Sequence, residues 1–447
     1  MNIWLVRPKM IPRPMDSHFK LCMSPLLALI LIKQITPKEH NVTIIDYNFR
    51  VQLPKEKPDI VAISSTVDVA DISNKLALEF KELGAKTIVG GIHATCYPEY
   101  FYECFDSVCI GPAELIWHRV LQDAMSNDLH KVYSSQTPLT EDDIPILKIM
   151  QSESKYLFNN IITTSRGCNF CCDFCYNSAS NQPLVNRKHE DVIEEIENLG
   201  TKHVLFVDDN FISNTNWTRG FIKKIKNMAI TWSCAVSFNI INHMDLLDDM
   251  AEAGCQSLFI GLETINHNSI INISKKQNTI NRYEQLIKEI HKRKMMINAS
   301  IMLGIDGDTK ESIDATLNWL IENKVDTLTT HILTPYPGTK LYNNMKLQNR
   351  LLNVPISKYN TANVVFEPKS ISKKSLYEKY LMVYKKFYAF KNILKRMPKN
   401  DTKRKVEYLL FNLLYRKLGK PISYITYKLN LMTRIGKLAT WLSYKIK

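Results

Sequence analysis

Short apolar runs alternate with helical-period segments through the first 125 residues. "NIWLVRP", "VTIIDYN", "DIVAISS", "KTIVGG" and "SVCIG" are rich in Val and Ile and each ends in Gly, Pro or polar residues. Such runs predict buried parallel strands. Between them, "SPLLALILIKQI", "DISNKLALEFKELG" and "PAELIWHRVLQDAM" repeat their apolar residues every three or four positions and predict helices. Strand and helix in alternation give a doubly wound α/β sheet, whose ligand sites lie at the carboxyl ends of the strands. The spacer between "IIDYN" and "DIVAI" holds only about a dozen residues, Pro54 and Pro58 among them, which is too few for a crossover helix. One side of the ligand cleft is therefore expected to be open or reshaped. The polar stretch around "YSSQTPLTEDDIPIL" reads as a linker.

A second alternating series follows. "NNIITTS", "HVLFVDD", "TWSCAVS", "SLFIGLE", "INASIMLG" and "TLTTHILTPYP" read as strands, separated by helical runs such as "HEDVIEEIENLG" and "KESIDATLNWLIENK". Six β–α units predict a curved, barrel-like parallel sheet rather than a second open one. From about Ser370 the pattern becomes helical and rich in Lys and Tyr. The chain thus divides into an α/β domain (1–130), a linker (131–154), a barrel (155–345) and a helical extension (346–447).

Charge changes the picture only at the end. The 447 residues carry a formal net charge of +14, but from Lys369 onward about 21 Lys and Arg face about 3 Asp and Glu. A near-neutral body carries a basic tail. Basic amphipathic helices suit a membrane surface, with Tyr, Leu and Trp441 at the acyl boundary. The competing readings are a helical cap on the barrel with a solvated Lys face, and nucleic acid as the anion, which is disfavoured. "MNIWLVRPKM" lacks a signal-peptide pattern, and "SPLLALILI" is about half of the roughly 18–20 apolar residues needed to cross a bilayer. A cytoplasmic protein, peripheral at most to the inner membrane face, is expected, and a disulfide framework is not.

Four of the ten cysteines crowd into "SRGCNFCCDFCYNSAS", directly after the first barrel strand, where active-site loops of such sheets lie. Cys168, Cys172 and Cys175 form C-x3-C-x2-C, and Cys171 offers C-x2-C with Cys168. A structural zinc site needs four protein ligands, but no second pair follows and the next histidine, His189, begins a helix. The bacterial ferredoxin spacing is absent as well. Three thiolates on one loop suit three corners of a four-iron cluster, whose fourth iron stays open to a ligand that is not protein. Cys171 reads as a bystander, and Cys234 on the third strand as a buried small hydrophobe.

This loop, with Phe174 before the last cysteine, resembles the signature of the radical S-adenosylmethionine (radical SAM) superfamily. "VLFVDDNF", "FIGLETIN", "IMLGIDGDTKES" and "LTPYPGTKLY" are similar, in order, to the ends of that family's second, fourth, fifth and sixth strands, so the resemblance covers most of residues 155–345. It implies an enzyme with a [4Fe-4S] cluster on Cys168, Cys172 and Cys175. Its open iron chelates S-adenosylmethionine, and one electron, supplied by a reductant such as flavodoxin or ferredoxin, cleaves it to a 5′-deoxyadenosyl radical that attacks an unactivated carbon. By the same resemblance Phe174 borders the adenine, Asp208 and Asp209 face the methionine ammonium, and Glu263 touches the ribose or aminoacyl part. Gly304 and Gly307 let the backbone approach the adenine, and Pro335, Pro337 and Gly338 make a rigid turn at the barrel mouth. An Asp pair after a strand also caps helices and a Gly pair also turns the chain, so the bland readings stand beside these.

The N-terminal half resembles the Rossmann-like cobalamin-binding domain that precedes the barrel in one large subgroup, which includes magnesium-protoporphyrin ester cyclases and cobalamin-dependent methyltransferases. The resemblance implies tail-binding hydroxyls at Ser64, Ser65 and Thr66, room for the nucleotide tail at Gly90 and Gly91, and a turn at Gly111 and Glu114. "DSHFKL" begins like the D-x-H-x-x-G motif that supplies a lower cobalt ligand, with Leu21 in place of Gly, so His18 reads as a solvated loop residue. Methyl transfer from cobalamin to a carbon of a small-molecule substrate, an apolar lipid or pigment, is the leading expectation. Oxidative cyclisation or rearrangement with a vestigial cobalamin domain is the alternative. RNA methylthiolation would need a second cluster drawn from Cys22, Cys96, Cys104 and Cys109.

Overall fold

The computed structural model describes residues 1–149, 155–271, 275, 278–399 and 401–445, with the side chains of 403, 414 and 440–445 excepted, so Trp441 lies outside the described side chains. The first sheet contains β1 (Asn2–Arg7), β2 (Asn41–Asp46), β3 (Ile60–Ser64), β4 (Lys86–Gly90), β5 (Ser107–Ile110) and β6 (Val132–Ser134). All are parallel, in the order β2-β1-β3-β4-β5-β6. Helices α1 (Leu27–Ile35), α2 (Ala70–Glu82), α3 (Ile92–Cys96) and α4 (Trp117–Met125) connect them. Trp4 and Val6 of β1 enter one core with Val61, Phe80 and Phe101. Ile3 and Leu5 enter the other with Leu29, Ile88 and Trp117. Side chains alternate across a strand, and with both faces covered the run reads as continuously apolar. No helix joins β2 to β3, as the two prolines require. Strand β6 rises from the edge of the stretch read as linker. It is three residues long, and Tyr133, its buried residue, hydrogen-bonds to Asp123 at 2.8 Å.

His18–Ile35 is long and apolar enough to span a membrane by length and composition, with a mean hydropathy of 1.4. The chain breaks it at Ser24 and Pro25 into a 3-10 turn, His18–Cys22, and the nine-residue α1, which packs on β1 and β2.

The second sheet starts at β7 (Ile161–Ile162). A hairpin of β8 (Ser165–Arg166) and β9 (Val185–Asn186) flanks α5 (Tyr176–Ser180), and α6 (His189–Leu199) then leads to β10 (His203–Phe206). The series continues with α7 (Thr215–Ile225), β11 (Thr231–Val236), α8 (Met244–Glu252), β12 (Cys255–Glu263), α9 (His267–Ile270), α10 (Tyr283–Lys292), β13 (Met296–Leu303), α11 (Lys310–Glu322) and β14 (Thr327–Ile332). Six parallel strands run β7-β10-β11-β12-β13-β14, each beside the next in the chain, which puts every strand's carboxyl end on one rim. Helix starts carry the expected caps: the Thr309 side chain accepts from Ser312 N at α11, and Asn214 from Trp217 N at α7.

Helix α12 (Lys340–Leu347) crosses the expected end of the barrel, and the extension beyond it comprises α13 (Lys373–Phe387), α14 (Phe390–Arg396), α15 (Thr402–Leu409), a π-helical turn (Leu410–Lys417), α16 (Gly419–Lys428) and α17 (Met432–Lys445). Its first part closes the outer strand. Tyr384 Oη accepts from Thr330 N and donates to Thr330 O, at 2.9 and 3.1 Å, and Tyr388 Oη does the same at Leu328, at 2.9 and 2.8 Å. Two phenols thus satisfy the backbone groups that an edge strand leaves unpaired. At the base of β14, buried Asp326 takes hydrogen bonds from His291, Arg404 and Ile297 N, while Arg396 donates to the carbonyls of Val325 and Asp326. The cap reading therefore describes α13–α15.

Candidate active site at the rim between the two sheets

The cysteine loop springs from a tight neck. Ser165 pairs with Asn186 and Arg166 with Val185, and Gly167 follows at φ +79°. A Cβ there would stand 2.7 Å from Pro183 O, so the neck requires glycine. Beyond it, Asn169 Nδ2 donates to Ser213 O (3.1 Å) and Leu341 N to Asp173 O (2.9 Å), which ties the loop to β10's exit and to α12. Cys171 is exposed, whereas Cys168, Cys172 and Cys175 are half-buried. Backbone N–H groups of Phe170 and Asn169 reach the Cys168 sulfur, and those of Asn177 and Ser178 the Cys175 sulfur. Burial raises both thiols, Asp209 adds to the rise, and the amide groups oppose it. Free thiolates are disfavoured here, but a bound iron reverses that balance, and amide hydrogen bonds to the sulfurs are the usual second layer of an iron–sulfur site. Among the described residues, no three His, Cys, Asp or Glu converge tightly enough to hold a single metal ion. The donor set fits a cluster that gives each thiolate its own iron. Of the other cysteines, Cys22 is buried against Met432, Cys96 lies beside the Tyr176 carbonyl, and Cys109 is buried within β5.

The two acids after β10 diverge. Asp208 is buried, and its Oδ1 accepts from Thr164 N (2.8 Å), Ser165 N (2.6 Å) and Ser165 Oγ (2.9 Å). It pins the strand end from which the cysteine loop leaves. Burial pushes its carboxyl up to about 6, against those hydrogen bonds. Asp209 instead lines the cleft beside Arg166, Gly167 and Asn177. Its carboxyl is raised by burial, against a hydrogen bond from Asn177 and the charge of Arg166. Glu263 ends β12 at φ +64°, buried and paired with Lys275, which also donates to Gly261 O at 3.0 Å. Phe174 packs partly buried on the barrel core. Gly307 O accepts from Asn266 Nδ2 at 3.0 Å. At Gly304 a Cβ would meet Leu376 of α13 at 2.6 Å, so the space beside this glycine is filled by the helical extension.

A cleft joins the two sheets. Ser64, Gly90, Gly91, Gly111 and Glu114 wall it on one side, and Arg166, Gly167 and Asp209 on the other. Its empty space, counted to the open mouth, is about 1310 Å³, and Leu29, Ile32 and Trp117 give it an apolar depth. Arg166 Nη2 bridges the domains to Glu114 Oε1 at 3.3 Å. Ser65 and Thr66 stand outside the lining. Ser65 is buried and bonded to Ser73 (3.0 Å), and Thr66 donates to Asp68 (2.6 Å). No histidine is among the described lining residues. His18 lies between the Tyr424 and Tyr427 rings, at 5.6 and 5.1 Å, rather than free in a loop. The lining, with bare glycines and a hydroxyl at the strand ends above an apolar depth, suits a large amphipathic ring system with a polar tail.

Several neighbours of the cysteines have no sequence signal beyond their place in the quoted stretches. Tyr176, next to Cys175, stacks on Tyr336 with centroids 4.5 Å apart and shares a 2.9 Å hydrogen bond with His93 Nδ1. Burial holds His93 down at about 4, so it is neutral. Tyr336 also lines a second, polar cavity of about 550 Å³ with Arg13, Asp16, Lys20, Asp68 and Thr361. Gly338, in the Pro335–Gly338 turn, lies against the Cys96 carbonyl of α3.

Comparison with known proteins agrees with this geometry. The radical SAM superfamily profile matches residues 162–320. The chain is 25% identical over 428 residues to bacteriochlorophyllide d C-12(1)-methyltransferase of Chlorobaculum tepidum, covering 93% of this chain and 89% of that one. It shares the fold of the radical S-adenosylmethionine methyltransferase TsrM from Kitasatospora setae, solved with cobalamin and a [4Fe-4S] cluster, at a TM-score of 0.65 and 14% identity over 78% of this chain and 75% of that one. It likewise shares the fold of the cobalamin-dependent S-adenosylmethionine radical enzyme OxsB, solved with aqua-cobalamin, at 0.66 and 14% over 99% and 78%. The profile takes in the cysteine loop and strands β10 to β13, so residues 162–320 are a radical SAM domain and the chain is a radical SAM enzyme, a class that implies a [4Fe-4S] cluster and S-adenosylmethionine.

Proposed function

We propose that this enzyme is a cobalamin-dependent methyltransferase acting on an unactivated carbon of an apolar pigment or lipid. The observation that carries the reading is the cleft in which Ser64, Gly90, Gly91, Gly111 and Glu114 meet Arg166, Gly167 and Asp209 beside the cysteine loop. A second large cofactor seated there would lie next to the first. The near full-length relationship to a methyltransferase of a tetrapyrrole pigment supports the same reading. When bound, the cluster supplies the electron that opens the sulfonium and the corrinoid supplies a transferable methyl group.

The chain's own residues have narrower tasks. Cys168, Cys172 and Cys175 hold the cluster, while Asp208 fixes the strand end that aims their loop. Asp209 accepts hydrogen bonds from the methionine ammonium, and Glu263 contacts the cofactor with its charge balanced by Lys275. Phe174 borders the adenine. Arg166 and Glu114 hold the two domains against each other, and Tyr176, Tyr336 and His93 exclude water beside Cys175. Substrate enters through the polar cavity, where Arg13 and Lys20 meet its polar end. An external low-potential reductant supplies the electron, and the basic extension rests against the inner face of the cytoplasmic membrane.

Protein expressed with cobalamin and reconstituted anaerobically tests this. It is expected to hold about four irons per chain, to show a corrinoid spectrum, and to form 5′-deoxyadenosine and a methylated product with dithionite and S-adenosylmethionine. Replacing Cys168, Cys172 or Cys175 by Ala is expected to abolish both iron retention and turnover, and Cys171→Ala to leave them intact. Absence of retained corrinoid overturns methyl transfer in favour of oxidative cyclisation. About eight irons per chain points instead to methylthiolation.

A further inference from the structure

Helix α16 is built inside out. Its buried residues are Gly419, Ser423 and Thr426, one every three or four positions, and they seat it on the 3-10 turn at His18–Cys22. Ser423 Oγ accepts from His18 N at 2.9 Å there. One flank of the helix, about a quarter turn from the buried face, carries Ile422 and Ile425 between the cap residues Leu418 and Leu429, and these are 43%, 58%, 40% and 62% exposed. A helix that ends its packing at the protein surface turns aliphatic residues inward and polar ones out. The reverse arrangement leaves a continuous apolar stripe that water solvates poorly. Phe390, whose ring lies under Lys417 just before the helix, is 55% exposed as well.

The charge around the stripe says what covers it. From Phe390 onward the chain carries 15 Lys and Arg against 2 Asp and Glu, and of these, among the described residues, only Arg396 and Arg404 are committed to the buried group at Asp326 described above. Lys417 lies 5.4 Å from the Phe390 ring and Lys428 4.8 Å from the Tyr424 ring, so ammonium groups sit beside apolar side chains. Aliphatic chains pointing out from a basic rim match an anionic bilayer, with hydrocarbon for the stripe and head groups for the rim. We infer that the exposed aliphatic flank of α16, from Leu418 to Leu429, is the docking surface of this enzyme on anionic lipid. This rests on the membrane contact proposed above and assigns it to one face, which would keep an apolar substrate near the barrel.

Flotation of the full-length holoenzyme with phosphatidylcholine vesicles, with and without phosphatidylglycerol, tests it. Wild type is expected to float with the anionic vesicles. The combined variant Ile422→Ser, Ile425→Ser, Leu429→Ser is expected to lose at least about tenfold in partitioning. The combined variant Lys391→Gln, Lys395→Gln, Lys428→Gln is expected to lose on the order of tenfold to a hundredfold. Both are expected to keep 5′-deoxyadenosine formation in solution, which controls for folding. If the serine variant floats like wild type, this face is not the contact and the inference fails, while the membrane reading survives. If wild type floats with neither vesicle, both fail. A wild-type dimer that the serine variant splits in sedimentation would overturn it in favour of a second copy, and retention on RNA but not on vesicles in favour of nucleic acid.

Discussion

Asp208 and Asp209 follow the same strand, yet only geometry separates a carboxylate that holds the scaffold from one that faces the cleft. Asp208 puts one oxygen under three hydrogen bonds and leaves Oδ2 buried without a partner. Burial raises its carboxyl from 3.8 to about 6. The folded chain therefore keeps this proton to higher pH than the unfolded chain. Its contribution to stability is full below about pH 4 and is lost as pH rises through about 6, a change on the order of 3 kcal/mol. Asp208→Asn keeps an acceptor at Oδ1 without the ionisation. Urea midpoints between about pH 4 and 6.5 are expected to contain a descending component in wild type that the variant lacks; parallel profiles would refute this. The acid pair was legible in sequence as a strand-end feature, but which member turns to the cleft was not. That choice depends on how the chain leaves β10, and Thr164 and Ser165, which decide it, lie more than forty residues upstream.

At the level of elements, apolar alternation predicted both sheets because buried parallel strands need little else to be recognised. It missed β6, whose three residues are too few to show a period. The tyrosines of α13 fall at helical spacing, but nothing in that spacing says that their hydroxyls will reach the edge of β14. Tyr384→Phe would leave Thr330 N–H and C=O without the phenol, and Tyr388→Phe the same groups of Leu328. Each is expected to cost about 1–3 kcal/mol, because a buried backbone group loses its partner while the ring still fills its space. Urea denaturation measures the cost. The double variant is also expected to scatter light on gentle warming, since a strand edge freed of its cover pairs with other chains. Unchanged midpoints would mean that water replaces both phenols and that the cover is not needed.

The whole molecule places its cleft between domains that each have their own core, two apolar clusters on the N-terminal sheet and one in the barrel. Their relative position is set at the rim and through the extension, whose α16 sits on the His18–Cys22 turn. At the rim Gly338 is closely packed: it holds φ +89°, and a Cβ there would stand 2.3 Å from the Cys96 backbone oxygen of α3. Gly338→Ala adds about 1–2 kcal/mol of backbone strain to an overlap that cannot persist. Neither core contains the new methyl, so the strain is best relieved by moving α3 away from the barrel turn. That movement separates Glu114 from Arg166 and opens the shared wall of the cleft. Far-UV circular dichroism is then expected to match wild type and the radius of gyration from small-angle scattering to rise. Corrinoid retention is expected to fall at least about tenfold, the effect of losing roughly 1.4 kcal/mol of binding. Iron content is expected to fall much less than corrinoid, because the neck at Gly167 and the three cysteines are barrel residues and, among the described residues, α3 reaches their loop only through His93 and Cys96 at Tyr176. Loss of corrinoid with iron intact would place the second cofactor between the domains, and equal loss of both would place it within the barrel instead.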